Sequence, residues 1–295
     1  MKSERTVRVE FALYRVVRAV SRVLPFPIAQ GLGKVVGILF FLVTGRRRVV
    51  LRNLAHVFPH RWALARLIIA LRCAAHFGRV GFDAIKWINA PTDVIRRKID
   101  GTGLEHLEAA AARGKGTFVL TAHFGHWEVA GLWMALHGFR QAMVHRPLDN
   151  HLLEAELAAM RTRFGNTLIP RAGAAKSIIR TLRANGIVDI LIDQKAPKPL
   201  CITVDFLGVP TPVIRSLAAF TLTTGAAVVP LFTYPRGSGY TVRLHEPLIP
   251  EPGEDEIRLT ARYADVLTRA ILADPHLWLW FHDRWGVGQW RLHQP

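Results

Sequence analysis

The stretch TFVLTAHFGHWEVAGLW, residues 117–133, contains the pattern that decides the fold. Residues 117–122 form a run of apolar and β-branched residues that is typical of a buried β-strand, and the apolar residues after Trp127 suit a helix. We therefore predict a strand that ends at His123 and a helix that begins near Trp127. This prediction places a histidine in the turn between a strand and a helix.

The same alternation of strand and helix continues along the chain, after a long helical stretch at 61–90. Runs rich in β-branched and apolar residues predict further strands at 140–145, 187–193 and 226–232. Helical spacing is found at 104–113, 128–137, 151–164, 174–184 and 216–224. Strands that alternate with crossover helices predict an α/β fold with a mostly parallel central sheet flanked by helices. An antiparallel edge strand is expected at 238–247 and a closing helix at 254–273.

The composition excludes disorder and indicates an anionic partner. Half of the 295 residues are hydrophobic, which is more than a disordered chain carries. The formal net charge is +17, and an anionic membrane, an acidic protein, an acidic lipid or a nucleic acid would each match it. The sequence has no helix-turn-helix, zinc-module or RNA-binding signature, so we expect no nucleic-acid partner. Cys73 and Cys201 lie far apart, which supports neither a disulfide framework nor a zinc ribbon.

Residues 1–60 carry more than half of the net positive charge, and we predict that they anchor a main domain of residues 61–295 to a membrane. Arginines run through the first segment, and the apolar run that follows ends in three arginines rather than at a small-residue cleavage site. The segment is therefore not expected to be a secretory signal. Basic residues beside a membrane stay on the cytoplasmic side, where they meet anionic headgroups.

Two helices are expected in this extension. Residues 7–24 predict an amphipathic helix with Arg15, Arg18 and Arg22 on one face. Residues 28–44 contain an uncharged apolar run only at 35–43, whereas a bilayer-spanning helix needs about 20 residues. The pattern favours insertion into one leaflet, although helices that pack on a soluble domain have the same periodicity.

His123 and Glu128 form the candidate catalytic pair. Glu128 would lie in the first turn of the helix, where its carboxylate can fold back toward the His123 ring. A carboxylate that holds one imidazole nitrogen leaves the other free as a general base, and the helix N-terminus favours negative charge nearby. Such a pair suits removal of a proton from an alcohol that attacks a carbonyl. The spacing alone is weak evidence, because a histidine at a strand end is often only a structural hydrogen-bond donor.

A metal site is the competing interpretation of the same segment. His123, His126 and Glu128 offer suitable ligand atoms, but their spacing does not place them on one helical face as an i, i+4 pair would be placed. We therefore predict neither a metal nor another cofactor.

Five blocks, in order along nearly the whole chain, resemble the bacterial lipid A biosynthesis acyltransferase family, whose members add lauroyl or myristoyl chains, and the related mycobacterial phosphatidylinositol-mannoside acyltransferases. The blocks are RRRVVLRNLAHVFP at 46–59, GLEHLEAAAARGKGTFVLTAHFGHWE at 103–128, HRPLDN at 145–150, IDQKAP at 192–197 with VDFLGVPTPV at 204–213, and HLWLWFHDRW at 276–285. The second block contains the His-x4-acid motif of the family. The resemblance implies a fold like that of the glycerolipid acyltransferases.

The resemblance also implies roles for single residues. It makes His123 the general base and Glu128 its acidic partner. It places Arg146 near a substrate phosphate or the acyl carbonyl, with Asn150 close by. On its own, an arginine beside a proline is also consistent with an ion pair that braces a loop.

Asp193 and Gln194 match the Asp-Gln pair of the family and would form part of the site wall. An aspartate at a strand end also commonly caps a turn, so a structural role for Asp193 stays open. His126 replaces the asparagine that the family usually has before Trp-Glu, which adds a second titratable group that would contact substrate. A packing role without catalytic function is expected for the C-terminal Arg284, Trp278, Trp280 and Trp285.

We therefore predict a membrane-bound O-acyltransferase at the cytoplasmic face of the bacterial inner membrane. His123 would take the proton from a hydroxyl of a lipid A precursor or a similar glycolipid, and the alkoxide would attack an acyl thioester. The resemblance implies acyl carrier protein as donor, whose acidic surface suits this basic chain, with coenzyme A as the alternative. Other acceptors stay open, namely a lysophospholipid, a phosphatidylinositol mannoside, an aminolipid or a polyene. A non-catalytic lipid-binding protein of the same fold also stays open.

Overall fold

The computed structural model describes residues 3–88 and 90–286. The strands in these residues are β1 Ile99–Thr102, β2 Thr117–Thr121, β3 Gln141–His145, β4 Thr167–Pro170, β5 Ile187–Leu191, β6 Cys201–Phe206, β7 Val209–Ile214, β8 Ala227–Arg236 and β9 Gly239–Leu244. The helices are α1 Glu4–Val23, α2 Phe26–Val43, α3 Arg46–Val57, α4 Ala63–Trp87, α5 Thr92–Lys98, α6 Leu104–Ala112, α7 Trp127–Leu136, α8 His151–Thr162, α9 Ala174–Arg183, α10 Ser216–Thr224 and α11 Glu256–Ala273.

A seven-stranded sheet forms the centre of the fold, in the order β1-β9-β8-β2-β5-β3-β4. Five neighbouring strands from β8 to β4 run in parallel, and the β9–β1 pair runs the other way because β9 forms a hairpin with β8. The predicted α/β fold with a mostly parallel sheet is therefore confirmed. The predicted antiparallel strand is β9, but β1 lies outside it and forms the edge.

Each face of the sheet carries its own apolar core. β2 is buried along its whole length, so both of its faces must be covered. Phe118 and Leu120 join the core that contains α3, α4 and α9–α11, whereas Val119 joins the core that contains α6 and α7. This layered packing fixes the position of the turn that follows β2.

Four strands were not expected from the sequence. β1 and β4 have only four residues each, which is too short for a periodic pattern to show. β6 and β7 form a separate two-stranded ribbon, and Pro210 and Pro212 in β7 give that segment the composition of a loop.

The first two helices lie against the sheet domain. α1 contacts α8, where Arg18 forms an ion pair with Glu156 at 2.6 Å and Asn150 donates to the carbonyl of Val7. Among the described helices, α2 is the one whose length and mean hydropathy, 1.8, are sufficient for a bilayer span, and 28% of it is buried. The predicted boundary at residue 60 falls in the loop between α3 and α4, and residues 287–295 of the predicted main domain lie outside the described residues.

α2 packs closely on α4 at glycine positions. A Cβ atom at Gly37 would lie 2.1 Å from the carbonyl oxygen of Ala74, and one at Gly33 would lie 2.7 Å from that of Gly78. These distances exclude any side chain, so the two helix backbones approach each other because both positions are glycine.

A buried polar contact fixes the same helix pair near the start of α2. Gln30 donates from Nε2 to the carboxylate of the fully buried Asp83 in α4 at 3.0 Å, and also to the carbonyl of Ser238 in the β8–β9 turn. α2 is therefore joined both to α4 and to the sheet.

Gly37→Ala is expected to lower the free energy of unfolding by about 1–3 kcal/mol, because the added methyl group overlaps the Ala74 carbonyl. Gly31→Ala is the matched control, since no atom lies within 4 Å of a Cβ there. That control should be neutral or raise the free energy of unfolding by about 0.5–1 kcal/mol. Thermal unfolding of the full-length chain, followed by circular dichroism, measures both. Equal melting temperatures for the two variants would contradict the close contact.

Candidate active site

His123 lies in the turn between β2 and α7, as the sequence predicts. Gly125 in this turn has φ +59°, and a Cβ atom there would lie 1.7 Å from the carbonyl oxygen of Thr233. Glycine adopts this conformation without strain and leaves room for β8. The turn places the His123 ring at the carboxyl end of the sheet, where 22% of the side chain is exposed.

Asp193 holds the His123 ring. Nδ1 of His123 lies 2.9 Å from Oδ1 of Asp193, and the backbone N–H of His123 donates to Oδ2 at 3.0 Å. Asp193 follows β5, the neighbour of β2, so the parallel strands bring the two residues together. With Nδ1 engaged, Nε2 is the ring nitrogen left for proton transfer.

The electrostatics of this pair favour its charged form. Burial by itself would lower the pKa of His123, but the charge of Asp193 and the hydrogen bond to it outweigh burial and raise that pKa. Burial would likewise raise the pKa of Asp193, but His123 and the hydrogen bonds to the carboxylate lower it. The imidazole is therefore a stronger base than a free histidine.

Glu128 lies in the first turn of α7, as predicted, but its carboxylate does not hold the His123 ring. Arg161 of α8 forms a bidentate ion pair with the carboxylate, donating from Nε to Oε2 at 2.9 Å and from Nη2 to Oε1. The indole of Trp127 also donates to Oε1, at 3.1 Å. The expected fold-back of Glu128 onto His123 is therefore wrong, because the planar guanidinium offers the better-matched partner. The charge of Glu128 still contributes to the raised pKa of His123.

Asp189 is a third carboxyl group at this place. It lies on β5, is only 6% exposed, and its Oδ1 has no hydrogen-bond partner among the described residues. Burial raises the pKa of Asp189 to about 7, and the charge of Glu128 adds to this while Arg161 opposes it. Near neutral pH the carboxyl is therefore partly protonated beside the Glu128–Arg161 ion pair.

A cleft of about 400 Å³ opens over these groups. His123, Glu128 and Asp189 lie in its wall, and the apolar part of the lining comes from Met143, Val144, Leu148, Leu157, Ile190, Leu191, Ile192 and Ile214. Basic groups in the lining are Arg146, Arg171 and Lys195, together with Arg161, which is paired with Glu128. Open α/β sheets bind ligands at the carboxyl ends of their strands, which is where this cleft lies. The lining suits a ligand with an apolar chain and an anionic group.

Two of the predicted substrate-binding residues reach the cleft. Arg146 lines it with a largely exposed side chain and forms an ion pair with Asp149 at 3.0 Å. Gln194 also lines it, directly after Asp193. Arg146 therefore both forms an ion pair within its loop and lines the cleft.

Of the other three predicted substrate-binding residues, Asp193 lies behind the cleft wall and holds His123, and the remaining two lie elsewhere. Asn150 is buried and caps α8 through its side-chain oxygen, while its amide donates to Val7 and Glu10 of α1. His126 is fully buried against the ring of Tyr240, and neither of its ring nitrogens has a hydrogen-bond partner in the described part of the chain. Burial lowers the pKa of His126 to about 3, so the ring is neutral. His126 therefore does not join His123 and Glu128 around a shared ligand.

Sequence reasoning missed Arg161 and Asp189. The sequence around Arg161 gives no sign of a functional role, because basic residues near the end of a helix are common. Asp189 does have a signal, since an acid in the middle of the apolar run IVDIL is costly to bury without a reason.

An imidazole that is paired with a buried carboxylate, in a cleft at the carboxyl end of a parallel sheet, is an α/β arrangement that can accept a proton from a ligand. The chain belongs to the bacterial lipid A biosynthesis acyltransferase family, whose model matches residues 2–286. The resemblance stated from the five sequence blocks is therefore confirmed, and the chain is an acyltransferase of this family.

Relatives with two kinds of acceptor are similar to the chain. The phosphatidylinositol mannoside acyltransferase of Mycobacterium tuberculosis (strain CDC 1551 / Oshkosh) is 27% identical over 73% of this chain and 70% of its own length. The lipid A biosynthesis lauroyltransferase of Escherichia coli (strain K12) is 25% identical over 88% and 86%. Among solved structures, the 1-acyl-sn-glycerophosphate acyltransferase PlsC of Thermotoga maritima matches with a TM-score of 0.40 and 14% identity, over 81% of this chain and 96% of that chain.

Asp193→Asn is expected to move the acid limb of the pH profile of kcat/KM to lower pH. A general base acts in its neutral form, and the substitution removes the charge that raises the pKa of His123 while the burial that lowers it stays. The plateau rate should fall by about 10²- to 10⁴-fold, because the ring loses its orienting partner. Profiles of acyl transfer from pH 5 to 9, roughly the range in which histidine titrates, measure both effects.

Asp265→Asn is the control for that profile, since it removes an exposed carboxylate on α11 that pairs with Arg269. Its profile should coincide with that of the wild type. An unshifted acid limb in Asp193→Asn would show that Asp193 does not set the basicity of His123.

Proposed function

We propose that the protein is a membrane-bound O-acyltransferase that transfers a fatty acyl chain from an acyl thioester to a hydroxyl of a glycolipid. The observation that carries the proposal is the His123–Asp193 pair at the cleft. A histidine whose Nδ1 is fixed by a carboxylate is oriented to accept a proton at Nε2. Deprotonation of the acceptor hydroxyl is the step that such a base performs in acyl transfer.

The reaction follows from this placement. His123 Nε2 takes the hydroxyl proton as the oxygen attacks the thioester carbonyl, which forms a C–O bond and an oxyanion. Collapse of the tetrahedral intermediate breaks the C–S bond, and the imidazolium returns its proton to the leaving thiolate. Glu128, next to His123, stabilises the imidazolium through its charge and supports the pair as the predicted acidic partner.

Donors for the oxyanion would come from the turn and from the cleft. The N–H groups of Phe124 and Gly125 are used by the carbonyls of Ala122 and Leu277. The first N–H groups of α7 precede the helical hydrogen-bond ladder, so they are candidate backbone donors. Arg146, with a flexible exposed side chain, would supply positive charge to the acyl carbonyl or to a substrate phosphate.

The acyl donor and the acceptor lipid are inferred from the net charge of the chain and from the residues that line the cleft. The apolar cleft wall suits a fatty chain, and the basic groups around it suit phosphates of a pantetheine carrier or of a lipid headgroup. The net charge of +17 supports an acidic carrier protein as donor, with coenzyme A as the alternative. For the acceptor we propose a lipid A precursor or a similar glycolipid. The relatives that are named phosphatidylinositol mannoside acyltransferase support phosphatidylinositol mannoside as the second candidate.

The N-terminal helices would hold the enzyme on the cytoplasmic face of the inner membrane. Apolar side chains of α1 and α2 are exposed, among them Leu13, Val16, Val36 and Leu39. α2 keeps its partners on α4 and in the β8–β9 turn, so it would have to break them in order to cross the bilayer. This supports insertion into one leaflet by helices that stay bound to the domain.

His123→Ala should abolish acyl transfer, with a fall of at least about 10³-fold, because the variant lacks the imidazole that takes the hydroxyl proton. The assay uses radiolabelled acyl chains on acyl carrier protein and on coenzyme A, each offered to a lipid A precursor and to phosphatidylinositol mannoside. The product is separated by thin-layer chromatography and identified by mass spectrometry. The exposed His151→Ala at the start of α8 is the matched control and should keep wild-type activity.

The pattern of products decides between the candidate functions. Transfer to one acceptor that disappears in His123→Ala supports the proposal and identifies the acceptor. Lipid binding by the wild type without transfer to either acceptor, from either donor, would favour the non-catalytic alternative.

Val16→Glu and Val36→Glu together are expected to weaken membrane binding by about tenfold or more. Each glutamate replaces exposed apolar surface and repels anionic lipid, at about 1 kcal/mol per charge. Flotation with vesicles of phosphatidylethanolamine and phosphatidylglycerol measures the bound fraction. The control, Ile257→Glu with Leu272→Glu, makes the same change on exposed positions of α11 and should leave binding unchanged. Equal loss in both double variants would place the membrane contact elsewhere.

A further inference from the structure

A short C-terminal segment, residues 277–279, lies along the catalytic turn. The N–H of Gly125 donates to the carbonyl of Leu277 at 2.8 Å, and the N–H of Leu279 donates to the carbonyl of His123 at 3.0 Å. Phe124 and Trp278 form an antiparallel bridge between these bonds. The segment therefore fixes the backbone on both sides of the turn that carries the general base.

The indole of Trp278 reaches past the turn to Asp193. Its Nε1 donates to Asp193 Oδ2 at 2.8 Å, the same oxygen that accepts the N–H of His123. Asp193 Oδ1 is thereby left to His123 Nδ1. Oδ1 of Asp193 therefore binds the His123 ring, and Oδ2 binds two other donors. These two donors, the N–H of His123 and the indole of Trp278, come from the two chain segments that meet in the bridge.

The position of the indole is itself fixed. Trp278 is 1% exposed and its ring lies edge-on to those of Phe206, Trp280 and Trp285, at centroid distances of 4.7–6.2 Å. Its carbonyl accepts from the thiol of Cys73 in α4. A donor held this firmly restricts the carboxylate that it binds, because a hydrogen bond between two rigid groups has little angular freedom.

We propose that Trp278 is a positioning residue for catalysis, which fixes the plane of the Asp193 carboxylate so that Oδ1 points at His123 Nδ1. The ring of Trp278 has the packing role that the sequence predicts, and its N–H would have this positioning role in addition. The inference rests on the proposed function of the His123–Asp193 pair. A tryptophan suits the task, since its indole carries a single N–H donor on a side chain with only two rotatable bonds.

Trp278→Phe tests the proposal, with Trp280→Phe as the matched control. Trp280 is equally buried, lies in the same aromatic group and donates its own indole N–H, but to the carbonyl of Pro275. We expect kcat for acyl transfer to fall by about tenfold or more in Trp278→Phe, with KM nearly unchanged, because a hydrogen bond to a charged group is lost. Trp280→Phe should stay within about twofold of the wild type, since its N–H does not reach the pair.

A second variant separates the N–H from the packing of the ring. Trp278→3-benzothienylalanine keeps the bicyclic shape and has sulfur in place of the N–H. It should show the same fall in kcat as Trp278→Phe while it keeps the melting temperature of the wild type. Full activity of this variant would overturn the proposal, whether or not Trp278→Phe folds.

A double-mutant cycle with Asp193→Ala tests whether Trp278 acts through Asp193. In that background no carboxylate remains to be positioned, so Trp278→3-benzothienylalanine should change kcat by less than about twofold. An undiminished tenfold effect there would overturn the proposal, because Trp278 would then act by another route. If Asp193→Ala itself were as active as the wild type, the proposed function of the pair would fail instead, which keeps the two failures distinct.

Discussion

The ion pair between His123 and Asp193 is the interaction on which the rest of the site depends. A carboxylate as deeply buried as Asp193 is costly to ionise, and its charge persists because every donor near it points at one of its two oxygens. Removal of one partner from such a pair leaves an uncompensated charge, at about 3–5 kcal/mol. The same interaction keeps Asp193 ionised and makes His123 more basic.

Three further ionisable groups, Glu128, Arg161 and Asp189, line the cleft together with His123. Glu128 and Arg161 neutralise each other, and Asp189 is kept near its neutral form by burial and by the charge of Glu128. This part of the cleft wall therefore carries little net charge although it contains three ionisable groups. Such a wall, beside Met143 and Leu157, suits an apolar chain in the cleft. Three unpaired charges at the same place would disfavour that chain, because they would lose their solvation.

The sequence predicted the parts of the fold that depend on local pattern. The strands before His123 and before Asp193 and the helix after Trp127 follow from periodicity, so the location of the site was predictable. The contact between His123 and Asp193 was not predictable from local pattern. The two residues are 70 positions apart and come together because β2 and β5 are neighbours in the sheet. The carboxylate nearest in sequence, Glu128, was the natural expectation, and only the position of Arg161 on α8 directs it elsewhere.

The N-terminal helix α2 and the turn that carries His123 both contact one element, α4. Gly78 and the buried Asp83 of α4 contact α2. His76, two residues before Gly78, places Nε2 3.1 Å from the carbonyl of Gly125. Burial lowers the pKa of His76 to about 3, so the ring is neutral and acts as a donor to that carbonyl at any physiological pH. The turn that bears His123 is therefore linked to α2 through α4. If α2 lies in the lipid surface, the height of the base above that surface is set by α4, and a lipid hydroxyl would meet the base without leaving the interface.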